Sequence, residues 1–351
     1  MKIIVDTFGA DAAPEVIIRG ALKALEKQTA YDLILVADPA TDLAGVVAGM
    51  RDSAAVGTAD LSDRVTILPA VSFVTNEDDP RNMIKAKNDS SMVIALEALR
   101  DQDDICAMIT AGSTGCALVG SCFHLGLQKG LLQPALASAL PTENGKWVIL
   151  CDCGSNLNPK VKDLADYATL SAAFAKAFYS GDALASSDDA TSADTATLPK
   201  VGLINVGKEP GKGTDLIKEA YEKLSSMSGE TFDFIRSIEG SDILSGAVDA
   251  AVCDGFTGNV LIKALEKAGN IAAAFAEQST LAAAGEDNTL KQNNDDIAER
   301  IRATFDYNNR AGAVFLGTKK LVIKAHGAAT EDTITACILQ AVRLIEGGFG
   351  K

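Results

Sequence analysis

Residues 105–128 read ICAMITAGSTGCALVGSCFHLGLQ, without one Lys, Arg, Asp or Glu. A run of that length is long enough to span a bilayer, so its reading decides the fold. Gly112-Ser113-Thr114-Gly115 interrupts it, and Ser121 and His124 follow. The run divides better into a buried strand over Ile105–Thr110, a tight glycine turn and a buried helix over Thr114–Leu127. A strand that is apolar on both sides belongs to a parallel sheet covered on both faces.

The same alternation extends outward from this unit. Ile3–Val5, Leu33–Val36, Val65–Leu68, Trp147–Cys151, Val201–Asn205, Ala250–Cys253 and Leu321–Lys324 read as further strands. Helical spacing marks Pro14–Gln28, a helix from Ser90 through Leu99, Val161–Tyr179, Asp215–Leu224, Gly258–Glu277 and Asp332–Leu344. Alternating β and α of this kind predicts an α/β fold with a mostly parallel sheet. Residues 1–351 are expected to form a single large α/β domain. Ser180–Pro199, poor in large apolar residues, is expected to be a flexible surface insertion. Residues 258–306 are expected to form a helical hairpin, with the polar stretch Gly285–Asp296 as its tip.

Composition limits what such a fold does. The 351 residues carry a net charge of −15, with 47% hydrophobic and 5% aromatic residues. That balance opposes nucleic-acid phosphates and anionic lipid, and no local basic cluster is large enough to offset it. The seven cysteines sit mostly in apolar runs without a C-x-x-C pair, which favours buried reduced thiols over metal ligands. Two histidines, His124 and His326, are too few for a His-rich metal site. The first ten residues are too short of apolar residues for a signal peptide, so a cytoplasmic location is expected.

The chemistry gathers where strands end. Ile3–Val5 runs into Asp6, Gly9 and Asp11; Ile105–Thr110 into Gly112, Ser113, Thr114 and Gly115; Trp147–Cys151 into Asp152, Gly154 and Asn156. Later strands run into Gly207 and Lys208, into Asp254, Gly255, Gly258 and Asn259, and into His326 and Gly327. Carboxyl ends of parallel strands line a ligand crevice. Glycines there admit close backbone approach, and the following helices offer unpaired N–H groups to an anion. The dinucleotide and P-loop signatures fail: Gly211-Lys212-Gly213 is followed by Leu216, and GKEPGKGT over 207–214 lacks the required spacing and ending. A phosphate-binding crevice is the favoured reading. Asp6, Asp152 and Asp254 either contact ligand or hold turns and helix ends, and Ser90 and Ser91 are either caps or substrate contacts. Lys212 is either an anion ligand or a solvated charge, and His124 reads as a core histidine.

These same stretches resemble a known family. DTFGADAAPE, KNDSSM, TAGSTG, CDCGSN, VGLINVGKEPGKGTDLIKEAYEKL, EGSDILSGAVDAAVCDGFTGNV and VIKAHG match, in order, successive signatures of the PlsX phosphate acyltransferases of bacterial phospholipid synthesis. The resemblance implies a three-layer α/β/α fold similar to phosphotransacetylase and isocitrate-dehydrogenase-like enzymes, in a homodimer needing no metal or organic cofactor. It implies transfer of a fatty acyl group from acyl carrier protein to inorganic phosphate, with the acyl phosphate passed to a downstream glycerol-3-phosphate acyltransferase. Catalytic roles are expected for Asn259 and Lys87, for His326 either a catalytic or a structural one, and substrate contacts for the amides of Ser113–Gly115 and Gly255–Asn259.

The chain departs from the family pattern in three loops. Ala10 and Ala12 stand where Gly and His are usual, Ser113 replaces an Asn, and Arg310-Ala311-Gly312-Ala313 replaces Y-G-G-A. Family members touch membrane through an apolar helical tip. Here Glu286, Asp287, Asp295 and Asp296 disfavour anionic lipid, so any membrane association is peripheral at most. Arg81, Lys85 and Lys87, or Lys319 and Lys320, are the candidate docking groups for an acidic carrier protein. Two other readings remain open: an acyl-coenzyme A phosphotransacetylase, and a noncatalytic carrier- or phosphate-binding protein.

Overall fold

The charge-free run folds as a strand, Ile105–Thr110, and a helix, Thr114–His124, with Ser113 at the helix's N-cap. The computed structural model describes residues 1–27, 30–52, 61–180, 197–283, 288–305 and 311–350. Most of the expected insertion at 180–199 and residues 285–287 of the expected hairpin tip lie outside them, whereas residues 288–296 of that tip belong to a helix that begins at Asn288. Among the described residues no helix is long and apolar enough to cross a membrane.

The chain begins with β1 (Lys2–Asp6), α1 (Pro14–Lys27), β2 (Asp32–Ala37), α2 (Leu43–Asp52) and β3 (Val65–Pro69). Next come α3 (Pro80–Ala86), α4 (Ser91–Asp101), β4 (Ile105–Thr110), α5 (Thr114–His124), β5 (Ala135–Pro141), β6 (Trp147–Cys151) and α6 (Val161–Ser180). They are followed by β7 (Lys200–Ile204), α7 (Asp215–Met227), β8 (Asp233–Ile238), α8 (Gly240–Ile243), β9 (Ala250–Val252) and α9 (Gly255–Ala283). The remainder is α10 (Asn288–Phe305), β10 (Ala313–Leu316), β11 (Leu321–Lys324) and α11 (Glu331–Glu346).

One eleven-stranded sheet runs through the molecule in the order β3-β2-β1-β4-β11-β10-β5-β6-β9-β7-β8. Successive residues of each strand face opposite ways and feed two cores. Ile3, Val5, Ala107, Ile109, Val314 and Ile323 pack beneath helices that include α1, α6 and α11. Ile4, Met108, Leu136, Val148, Phe315 and Val322 pack beneath α4, α5 and α9. Helices on both faces of one sheet give the three-layer α/β/α arrangement.

The sheet is mostly parallel, as expected, and its antiparallel pairings gather at its centre. β3, β2, β1, β4 and β11 are parallel, as are β6, β9, β7 and β8. Between them β10 is antiparallel to both β11 and β5, and β5 is antiparallel to β6. Three reversals leave the two parallel blocks running in opposite directions. Ile323, Val314, Ala137 and Cys151 share one row of pairings. The ends of β11 and β6 therefore reach nearly the same level from opposite sides. The ends of β4, β6 and β11 meet as two edges facing each other, with the start of the helix after β9 beside them, whereas the end of β7 borders a second cleft.

β10 begins just after Ala311, which has φ of 105°. A left-handed backbone costs a residue with a Cβ about 1–2 kcal/mol, and this is the position where the resembled pattern carries glycine.

Candidate active site

A cleft of about 650 Å³ opens where the two edges meet. From the β4–α5 turn come Ala111, Gly112 and Thr114; from the loop after β6 come Cys153, Gly154 and Leu157. Helix α9 contributes Phe256, Asn259, Ile262, Lys263 and Glu266, and the end of β11 contributes Lys324, Ala325, His326 and Gly327. Asn76, from the segment before α3, closes the rim. The first turns of α5 and α9 thus approach one space, each with N–H groups that have no partner inside its helix.

Two buried aspartates build this frame. Asp152, wholly buried, accepts hydrogen bonds from the amides of Leu136 (2.9 Å), Gly154 (3.2 Å), Ser155 (3.1 Å) and Asn156 (2.7 Å), and from the Ser155 hydroxyl (2.8 Å). The loop after β6 is wound around that carboxylate; the Cys151–Asp152 peptide bond is cis. α9 then lies directly on the loop, because a Cβ on Gly255 would come within 2.8 Å of the Asn156 carbonyl oxygen and one on Gly258 within 1.9 Å of the Asp152 carbonyl oxygen. Asn156 donates its Nδ2 to Tyr167 at 3.0 Å, fixing the loop's far side.

Asp6 is the second. It accepts from the Phe8 amide at 3.2 Å and from the Thr110 hydroxyl at 3.0 Å, tying the ends of β1 and β4. Burial pushes its carboxyl up to about 6. Because the folded value lies above the unfolded one, the stability it contributes is complete below about pH 4 and is lost as pH rises through 6. Asp6→Asn should therefore raise Tm relative to wild type at pH 8 and lose that advantage at pH 4, a differential on the order of 2–3 kcal/mol. Thermal unfolding of both proteins across this range measures it, and parallel curves would refute the assignment.

The other sequence-expected residues divide. Asn259, Thr114 and His326 line the cleft. His326 accepts the Ala328 amide on Nδ1 at 3.1 Å. Burial, followed by the charge of Lys263, lowers its pKa, so at neutral pH the imidazole is neutral with its proton on Nε2. Ser113 is buried at the N-cap of α5, and Gly115 packs against Pro80. Gly9, at φ of 76°, lies against Gly112, and the Asp11 amide donates to the Gly327 carbonyl at 2.8 Å. These contacts join the β1, β4 and β11 ends.

Lys87 is not among the lining residues. Its ammonium binds Asp78 at 2.7 Å and the Phe73 carbonyl at 3.0 Å, bracketing the segment that carries Asn76, and that bond is the main reason Asp78 is held down to about 2. Ser90 occupies the N-cap of α4 without a side-chain cap bond. Asp254 accepts from Thr257 N at 2.9 Å and Oγ1 at 2.7 Å, capping α9, and borders a second cleft of about 910 Å³. That cleft shares Leu157 and Phe256 with the first and includes Asn205, Gly213 and Thr214. Lys212 belongs to this side and is exposed, its carbonyl accepting from Asn205 at 3.1 Å. Lys319 and Lys320 border a different cavity, of about 180 Å³, at the opposite end of β11.

Sequence reading missed Lys324, Lys263, Glu266 and Asn76. Lys324 closes an otherwise apolar strand, a pattern that by itself does not separate a buried lysine from a solvated one.

A family model described as fatty acid synthesis protein matches residues 1–351. The phosphate acyltransferase of Clostridioides difficile (strain 630) is 31% identical, with 99% of this chain and 93% of that protein aligned. Its counterpart from Caldanaerobacter subterraneus subsp. tengcongensis is 33% identical over 98% of this chain and 94% of that one. Among solved structures, a phosphotransacetylase from Streptococcus pyogenes superposes with a TM-score of 0.60 at 15% identity, covering 99% of this chain and 94% of that chain, a likeness of fold. Sequence and structural comparisons thus agree with the motifs on the strand ends: the chain belongs to the fatty acid synthesis protein family, that of the PlsX phosphate acyltransferases.

Proposed function

We propose that the protein transfers a fatty acyl group from acyl carrier protein to inorganic phosphate, releasing acyl phosphate for phospholipid synthesis. The observation that carries this reading is the 31–33% identity to phosphate acyltransferases over 98–99% of the chain, joined to a cleft where two helix N-termini and the lysines Lys263 and Lys324 surround a space large enough for a thioester. Phosphate dianion attacks the thioester carbonyl carbon. The tetrahedral oxyanion collapses as the C–S bond breaks, and the proton that phosphate carried ends on the thiol. A thiol with pKa of about 8.5 needs little acid help to leave, so positioning and oxyanion stabilisation suffice.

In this scheme the first-turn amides of α5 and α9 hold phosphate and the oxyanion, and Asn259 orients charged oxygens. His326, with its proton on Nε2, donates to the carbonyl oxygen or the leaving sulfur. Lys87 acts from the rim by clamping the Asn76 segment. Leu136, Leu157, Phe256 and Ile262 give the acyl chain an apolar wall. The carrier docks beside α3 through Arg81 and Lys85, because Pro80 at the start of α3 packs on Gly115 in the first turn of α5, whereas Lys319 and Lys320 border a cavity at the opposite end of β11. The chain acts in the cytoplasm as one large domain in a homodimer, supported by Val260, Ile271 and Phe275, which expose 48–63% of their surface on one face of α9. The acyl phosphate is consumed by a glycerol-3-phosphate acyltransferase.

The test is thiol release from long-chain acyl carrier protein with and without phosphate, with hydroxylamine trapping acyl phosphate. Phosphate-dependent release with trapped product supports the reading. Release without phosphate makes the protein a thioesterase, and preferential turnover of acyl-coenzyme A makes it a phosphotransacetylase. Binding without release makes it noncatalytic.

A further inference from the structure

Lys324 ends β11 as the only charged residue of the segment LVIK. It is 7% exposed and lines the cleft beside His326 and Asn259. Its ammonium donates to the carbonyl of Ala111 at 3.3 Å and to that of Ala325. Among the described residues no carboxylate forms an ion pair with it. An ammonium has three N–H donors, so two are spent on neutral carbonyls and one remains.

Burying a cation without a counter-ion costs several kcal/mol. Bonds to two carbonyls satisfy donors but leave the charge uncompensated. They also fix the amine between the ends of β4 and β11, beside the first turn of α5, whose N–H groups have no partner inside the helix. The arrangement holds a buried cation in place without a carboxylate partner among the described residues.

We propose that Lys324 binds the attacking phosphate, donating its third N–H to a phosphoryl oxygen, and that this anion supplies the counter-charge the buried ammonium lacks. The proposal rests on the cleft being the phosphate site. It gives the positive charge at the centre of that site to Lys324, and leaves Lys87 on the rim.

A linked proton follows. Burial pulls the Lys324 pKa down to about 8, against the opposing pulls of Cys337 and Asp11 and with that of Lys263. The groups facing it are Asp11 after β1, Lys263 and Glu266 on α9, His326 on its own segment and Cys337 on α11. Near pH 8 the Cys337 thiol, pushed up to about 12 by burial, is neutral, and so is His326. An arriving dianion stabilises the ammonium form, so phosphate binding near pH 8 takes up part of a proton at Lys324.

The experiment titrates inorganic phosphate into the full-length protein by calorimetry at pH 8, in two buffers of different ionisation enthalpy, alongside steady-state kinetics. Lys324→Met removes the charge, and Lys324→Gln also retains N–H donors for the two carbonyls. Both should keep or raise Tm, since a buried unpaired charge is gone. The expected result is proton uptake in the wild type and none in either variant. KM for phosphate should rise about 10- to 100-fold, the worth of a charge-assisted hydrogen bond, with KM for the thioester within twofold. Unchanged phosphate affinity and proton uptake in the variants would overturn the proposal while leaving the phosphate acyltransferase reading intact, as would both KM values rising together. A wild type that neither binds phosphate nor forms trapped acyl phosphate would overturn both.

Discussion

Gly258→Ala should abolish activity, lowering acyl phosphate formation at least 100-fold and Tm by about 4–8 °C. The added methyl would sit 1.9 Å from the Asp152 carbonyl oxygen and 3.1 Å from the Cys253 sulfur. Neither atom can yield: the carbonyl belongs to the loop wound on the Asp152 carboxylate, and Cys253 is buried behind it. α9 must then move off the loop by an ångström or more, carrying Asn259 and the first-turn amides with it. Overpacking against fixed backbone costs about 3 kcal/mol or more, and a shift of that size in the positioning groups accounts for the catalytic loss. Gly211→Ala is the control, since nothing lies within 4 Å of a Cβ there. If Gly258→Ala retained wild-type kcat and Tm, the close seating of α9 on this loop would be wrong.

The sequence announces its parallel strands because each is a continuous apolar run, and all eight such readings match strands. It conceals the three that matter for direction or edge. β5 reads ALASALP, whose small residues have little preference for extended backbone, and it is a strand because β10 and β6 pair with it on both sides. β10 is four residues long, and β8 alternates only weakly. Since β5 and β10 carry the reversals, their silence is why the sequence predicts a mostly parallel sheet without locating its antiparallel pairings. The site was legible as polar, glycine-containing strand ends, which depend on local turn chemistry. Lys324 was not, because a lysine at a strand end is ordinarily solvated. Only the pairing of β11 between β4 and β10 buries it.

The reversal has a chemical consequence. α5 follows β4 in one block and α9 follows β9 in the other, and both lie on the same face of the sheet. In a plain parallel sheet two such helices would stand side by side, their N-termini pointing the same way past a ligand. With the blocks opposed, the two N-termini face each other across the cleft, so both positive ends can contact one anion. This local field explains how a chain of net charge −15 can hold a dianion, because exposed charges farther than ~8 Å away are largely screened.

Asp152→Ala should cost about 4–5 kcal/mol, beyond the usual range for a single substitution. Four backbone amides and one hydroxyl converge on this carboxylate, and a buried N–H left without an acceptor costs about 1–3 kcal/mol. Partial relaxation and water entry keep the total below the sum. Asp152→Asn should recover little, because the amide keeps one acceptor oxygen and presents an NH2 group to donors; about 3 kcal/mol is expected. Asp254→Asn is the contrast. Asp254 accepts only from Thr257, at the half-buried N-cap of α9, and asparagine is as good an N-cap as aspartate, so under 1 kcal/mol should be lost. The two aspartates follow adjacent strands and look alike in sequence, CDCG and CDGF. Chemical unfolding midpoints of the three variants separate an aspartate that organises a loop from one that caps a helix. Equal losses at 152 and 254 would mean that the loop after β6 does not depend on its buried carboxylate.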